Sequence, residues 1–153
     1  MPTLEQVFCK FGEVSEAAQL LETDLGTTML WVKGVEHELY TGDKGELATE
    51  IYKEINKSTL GQLLRQVAKP AGFPEDLELL LAKALADRNY LFHSYYRKHN
   101  FRKNSDEGCA IMLADLETRH QTILEAWIMV LRLQGFDLDK LMDMPLPTQH
   151  VPI

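Results

Sequence analysis

Residues 4–35 read LEQVFCKFGEVSEAAQLLETDLGTTMLWVKGV, and the spacing of their apolar side chains decides the fold class. Leu4, Val7, Phe11, Val14, Ala18, Leu21, Leu25, Thr28 and Val32 follow one another in steps of three and four. That spacing places them on one side of a helix and sustains a coiled-coil-like seam over four heptads. Phe8, Met29 and Leu30 widen the stripe, as expected for a helix packed inside a bundle. Thr3 stands where an N-cap is needed. Gly12 and Gly26 either weaken this helix slightly or admit another backbone.

Four more helical stretches follow it, and no strand-like alternation or internal repeat interrupts them. Thr41 to Gly45 reads as a loop, with a short helix from Glu46 to Asn56. Ser58 is placed to cap another short helix carrying Leu60, Leu63, Leu64 and Val67, which Lys69-Pro70 ends. Pro74 suits the start of a long helix that runs from Glu75 to Asn100. A last long helix spans Asp106 to Gln134, with Met112, Leu113, Leu116, Ile123, Trp127, Val130 and Leu131 on one face and Gly135 at C′. The expected architecture is all-α: an antiparallel bundle of three long helices plus shorter ones over residues 3–136. The tail, 137–153, carries Pro145, Pro147 and Pro152 and is expected to be partly disordered.

Composition fits that picture. The chain has 153 residues, 45% hydrophobic and 25% charged, enough for one domain with one core. No apolar run approaches the ~20 residues a bilayer span needs, and the first residues do not form a signal peptide. Cys9 and Cys109 lie in apolar-patterned segments and read as two buried thiols of a cytoplasmic protein. A net charge of −7 argues against wrapping a nucleic-acid duplex along a broad basic face. Positive charge is nonetheless uneven. Arg88, Arg97, Lys98, Arg102 and Lys103 fall close together, with Asp87 the only nearby acid; cations favouring a helix C-terminus would explain Arg97 and Lys98 equally well.

One residue in the third long helix breaks its pattern. The apolar stripe read through Leu77, Leu81, Ala84, Leu85, Phe92 and Tyr96 passes position 88, which is arginine. A guanidinium in an apolar stripe requires a partner. Asn89 and His93 lie four apart on the adjacent flank, and Tyr95 or Tyr96 returns to the edge that Arg88 occupies. Arginine matches phosphate oxygens, and histidine moves protons at neutral pH. The cluster therefore suits cleavage of a phosphodiester. The architectural alternative pairs Arg88 with a carboxylate of the first helix, Glu22 or Asp24.

The run Arg88-Asn89-x-x-x-His93-Ser94-Tyr95 resembles the motif of the HEPN superfamily, and the bundle layout extends the likeness over roughly residues 3 to 134. The resemblance implies a helical bundle, commonly dimeric, acting as a metal-independent ribonuclease without cofactor, as in toxin–antitoxin, CRISPR and anti-phage systems. It implies that Arg88 stabilises the scissile phosphate and His93 is the general acid or base, with Asn89 supporting that geometry; Tyr95, Tyr96 and Arg97 are further supporting or binding candidates beside them. It also implies a composite site across a homodimer, and Tyr95 as the residue that a small nucleotidyltransferase antitoxin would modify. Family members that bind a nucleotide, RNA or a partner protein without cutting supply the alternative. The segment 37–57 has no role in this scheme.

The remaining candidates read more simply. His120 lies on the last helix between Leu116 and Ile123 as a core or interface histidine, and His37, His99 and His150 show no metal-ligand spacing. Tyr90, Phe92, Tyr95 and Tyr96 can stack bases or serve as core, and Trp31 and Trp127 read as packing.

Overall fold

A computed structural model of the chain describes residues 1–138, 140 and 143. The expected tail order, with Pro145, Pro147, Pro152 and His150, lies outside the described residues. The described residues are helical, without strands, in five α-helices: α1 (Leu4–Glu36), α2 (Gly45–Lys57), α3 (Leu60–Val67), α4 (Glu75–His99) and α5 (Asp106–Leu133). A 3-10 turn, Asn100–Asn104, joins α4 to α5 and is called the elbow below. No helix among them is long and apolar enough to cross a membrane.

The caps explain where the helices begin and end. Thr3 accepts from the Gln6 amide while the Gln6 side chain accepts from the Thr3 amide, a capping box that satisfies two orphan donors. Thr59 and Gln62 repeat the device at α3. The cap of α3 is thus Thr59, whereas Ser58 closes α2, since only a residue directly before the first helical turn can reach its third amide. At the far end of α5, Gly135 adopts a positive φ of 86°, and the Phe136 and Gly135 amides return to the Leu131 and Arg132 carbonyls. That is a Schellman ending at the expected glycine.

Leu21 and Leu25 of α1, Leu77 and Leu81 of α4, and Met112, Leu116 and Ile123 of α5 form the centre of the core. Each such burial contributes about 1.5–3 kcal/mol. Contacts fix the directions: Lys10 meets Glu117 and Asp24 meets Trp127, so α1 and α5 run parallel. Glu22 meets Arg88 and Phe11 meets Tyr95, so α4 is antiparallel to α1, and the elbow makes it antiparallel to α5 as well.

Several side chains lie elsewhere than the spacing suggested. The buried line of α4 continues through Leu91, Tyr95 and His99, while Phe92 and Tyr96 are exposed. Aromatic residues at both 95 and 96 make the two lines equally apolar in sequence, and packing on α5 selects one. Cys9 is exposed and only Cys109 is buried, because Val7 and Phe11 take the inward positions beside Cys9. Trp31 is exposed, and Trp127 is half-buried with its indole N–H donating to Asp24.

Gly108, in the first turn of α5, lets the elbow backbone lie directly upon it: a Cβ there would stand 1.9 Å from the Arg102 carbonyl oxygen. Gly108→Ala is expected to destabilise the protein by more than about 2 kcal/mol or to detach the elbow. Gly12, with nothing within 4 Å of a Cβ, is the control; Gly12→Ala should stabilise by about 0.5–1 kcal/mol. Urea unfolding midpoints of the two variants check the contrast.

Candidate phosphate-handling site

Helix α4 carries every motif residue and is oriented well for its own dipole. Glu75, Asp76 and Glu78 occupy its first turn, and Arg97, Lys98 and His99 its last. Arg88 is three-quarters buried, its Nη2 lying 3.5 Å from Glu22 Oε2 of α1. Its Nη1 donates to Asn89 Oδ1 at 3.3 Å, and the guanidinium sits 5.1 Å from the centre of the Phe92 ring. Of the two acids expected as alternatives, Glu22 is the partner, and Asp24 accepts from Trp127 instead.

His93 is exposed, and neither ring nitrogen bonds to any described residue. Arg97, one turn on, donates to the His93 carbonyl at 2.7 Å and to Ser94 Oγ at 3.3 Å. Asn89, His93 and Arg97 thus form an exposed file at four-residue spacing. Arg88 and His93 do not meet within one copy. Five residues along a helix turn the side chain by about 140°, so the two occupy neighbouring faces.

Tyr95 lies in the core at 1% exposure, and its hydroxyl donates to the Met112 carbonyl at 2.9 Å. Burial raises its pKa above that of a free phenol. As a modification site it is out of reach of another enzyme unless α4 and α5 part. The accessible hydroxyl on this side is that of Tyr96, 42% exposed and packed against Phe8 and Phe11. Phe8 and Phe92 are also open to solvent, at 52% and 41%. Arg88 therefore borders an exposed aromatic surface.

The structure also assembles a polar cluster that spacing did not reveal. Arg119 and His120, between Leu116 and Ile123, are both half-buried, and Arg119 is the one that reaches α4. Its guanidinium donates to both oxygens of Asp115, at 2.9 and 3.2 Å, and to Asp87 of α4. It lies 3.6 Å from the centre of the Tyr90 ring. His99 Nε2 meets Asp115 Oδ2 at 3.0 Å, and His99 Nδ1 meets Arg102 Nη1 at 3.1 Å. A guanidinium can only donate, so Nδ1 accepts from Arg102 and Nε2 donates to Asp115. Burial works to raise the Asp115 carboxyl, but hydrogen bonds from Arg119 and His99 outweigh it and hold the group below the usual carboxylate range. A sequence signal existed: an arginine in the stripe of α5, as in that of α4.

His120 is half-buried on α5, and burial, with help from Lys10, lowers its pKa. Two cavities lie away from His93. One, of about 340 Å³, is lined by Trp31, Leu133, Gln134 and Phe136, and the other, of about 430 Å³, lies between α1 and α2 against Glu22 and Tyr52. Among the described residues no three His, Cys, Asp or Glu side chains converge as metal ligands. No protein family, curated protein or solved structure matches the chain.

Asp115→Asn should cost about 1–2 kcal/mol at neutral pH, a figure discounted for the partial exposure of Asp115 and Arg119. Because the folded pKa of Asp115 lies below its ordinary 3.8, the advantage of the native residue is complete above that value. It is lost as the pH falls through the folded pKa. Thermal melts of both proteins across the acid range should therefore converge.

Proposed function

We propose that this chain is a HEPN-type, metal-independent endoribonuclease domain, working as a homodimer in which two α4 motif faces share one RNA strand. The observation that carries the reading is the state of His93: exposed, with neither ring nitrogen bonded to a described residue, on the helix that also carries Arg88 beside an exposed aromatic surface. In a single copy, Phe8, Phe92 and Tyr96 leave apolar area in water; in a pair that area becomes buried. Pairing also supports a site that one copy does not complete, since Arg88 and His93 lie on neighbouring faces.

The Arg88–Glu22 contact does not oppose this reading. A 3.5 Å pair with both partners about a quarter exposed contributes only ~0–1 kcal/mol. A phosphodiester oxygen held by a bidentate guanidinium is a stronger partner. In the reaction, His93 takes the 2′-hydroxyl proton, O2′ bonds to phosphorus, the P–O5′ bond breaks, and a proton passes to O5′. Arg88 stabilises the charge that grows on the non-bridging oxygens. Asn89 fixes the Arg88 fork, and Arg97 steadies the His93 turn.

The second reading, a bundle that binds RNA, a nucleotide or a protein without cutting, is favoured by the same Glu22 contact, which holds Arg88 in place without substrate. A nucleotidyltransferase partner belongs to either reading only through Tyr96, since the Tyr95 oxygen is buried.

Purified protein should cleave single-stranded RNA, with His93→Ala lowering the rate about 10²–10⁴-fold and Arg88→Ala about 10²–10³-fold. Glu22→Gln should keep the activity while costing under about 1 kcal/mol of stability. Equal cleavage by all proteins would expose a contaminant and sink the catalytic claim. Intact RNA with wild type, together with tight binding, selects the second reading.

A further inference from the structure

We propose that the elbow between α4 and α5 is a stacking platform for single-stranded RNA, with Phe101 receiving a base and Arg97, Lys98 and Lys103 receiving the flanking phosphates. The choice of RNA as the polyanion rests on the function proposed above; the platform itself rests on the geometry of the elbow.

Phe101 is 76% exposed, the most exposed aromatic side chain among the described residues. Its backbone, in contrast, is pinned on both sides. His99 before it is buried and bonded to Asp115. Asn100 holds a positive φ of 38°, a region that residues other than glycine rarely occupy. After it, Arg102 reaches back to His99, Cys109 Sγ donates to the Lys103 carbonyl at 3.7 Å, and Gly108 receives the Arg102 backbone. The fold thus holds the chain rigidly at the point where it projects an apolar ring into water. No packing among the described residues accounts for that ring.

Charge around the ring points the same way. Residues 97–103 hold Arg97, Lys98, Arg102 and Lys103 and no acid, in a chain whose net charge is −7. None of the four forms an ion pair with a carboxylate among the described residues. The nearest acids, Asp106 and Glu107, sit in the first turn of α5, where its dipole already favours them. The negative end of the α4 dipole explains Arg97 and Lys98. It does not explain Lys103, which precedes the positive end of α5. Arg102 is engaged by His99. Lys103 and Phe101 are therefore the two residues of the elbow that the fold leaves unexplained.

A ligand that answers both carries negative charge at regular intervals with flat apolar faces between. Single-stranded nucleic acid has that structure, and base–aromatic stacking beside a cationic track is how such strands are held. An acidic peptide would satisfy the lysines and leave the ring in water. The exposed file of Asn89, His93 and Arg97 leads to the elbow, and His93 lies about 9 Å along the helix axis from His99, where α4 ends and the elbow begins. A strand of a few nucleotides spans that distance.

The test uses full-length protein carrying His93→Ala, so that RNA stays intact, and fluorescein-labelled U20 RNA read by anisotropy. Adding Phe101→Ala should weaken binding about tenfold or more, and Phe101→Trp should restore it. Adding Lys98→Ala with Lys103→Ala should lower the slope of log affinity against log salt by about 1.4. Melting temperatures should be unchanged in the Phe101 variants. Binding of U20 within twofold for Phe101→Ala overturns the proposal, as does no binding by the parent. Phe101-dependent binding to phosphatidylserine vesicles without RNA binding overturns it in favour of a membrane surface. The two proposals separate cleanly. Phe101-dependent binding with no cleavage by the wild type keeps the platform and removes the ribonuclease. Cleavage with normal binding by Phe101→Ala does the reverse.

Discussion

The carboxylate of Asp115 is the point on which the arrangement of α4 against α5 depends. One oxygen accepts from His99 at the end of α4, and both accept from Arg119 one turn along α5. Arg119 then reaches Asp87 and covers the ring of Tyr90, both on α4. Asp87 and Asp115 stand against Arg102 and Arg119, with His99 bonded between Asp115 and Arg102. Leaving one of these half-buried charges unmatched would cost about 1–2 kcal/mol. The register of the two helices is therefore narrowly held, and with it the rotation of α4. Tyr95 and His99 must face inward, which turns Asn89, His93 and Arg97 to solvent.

The two arginines that interrupt apolar stripes show why position in a stripe does not define a role. Arg119 spends all three of its nitrogens on two carboxylates and is sandwiched by an aromatic ring. Exchanging those partners for a ligand would dismantle the helix interface. Arg88 has one long ion pair and one weak bond to its neighbour Asn89, and a quarter of its side chain is open. Its partners are replaceable at small cost. The same contrast separates the histidines of α4: His99 has both ring nitrogens engaged, whereas His93 has neither. Arg88 and His93 are thus the two that a ligand can reach without breaking a strong contact.

The helices were legible because their signals are local. Steps of three and four, capping threonines and Gly135 each act within a turn or two, and the observed ends fall within a residue or so of those read from spacing. The choice between Tyr95 and Tyr96 for the core was not legible, because both lines are apolar in sequence and the deciding atom is the Met112 carbonyl, on another helix. The Asp87–Arg119–Asp115–His99 cluster was hidden for the same reason. Its members are up to 32 positions apart, and although Arg119 interrupts the stripe of α5, nothing local names its partners. Of the motif, Arg88 with a carboxylate on α1 could be anticipated from the cost of a bare guanidinium. The exposure of His93 could not, since it follows from the rotation that Asp115 imposes.

That rotation also bears on how many copies a working site would need. With about 100° per residue, an arginine and a histidine five positions apart must point to neighbouring faces of their own helix. A single α4 can offer a phosphate either residue squarely, not both. Two helices laid face to face remove the conflict, because the arginine of one and the histidine of the other can approach the same point from opposite sides. The surface such a pairing would use is the one carrying Phe8, Phe92 and Tyr96, which a solitary copy leaves in water. For the proposed reading, arrangement of charge and exposure of apolar area thus favour the same pairing, and neither depends on the other.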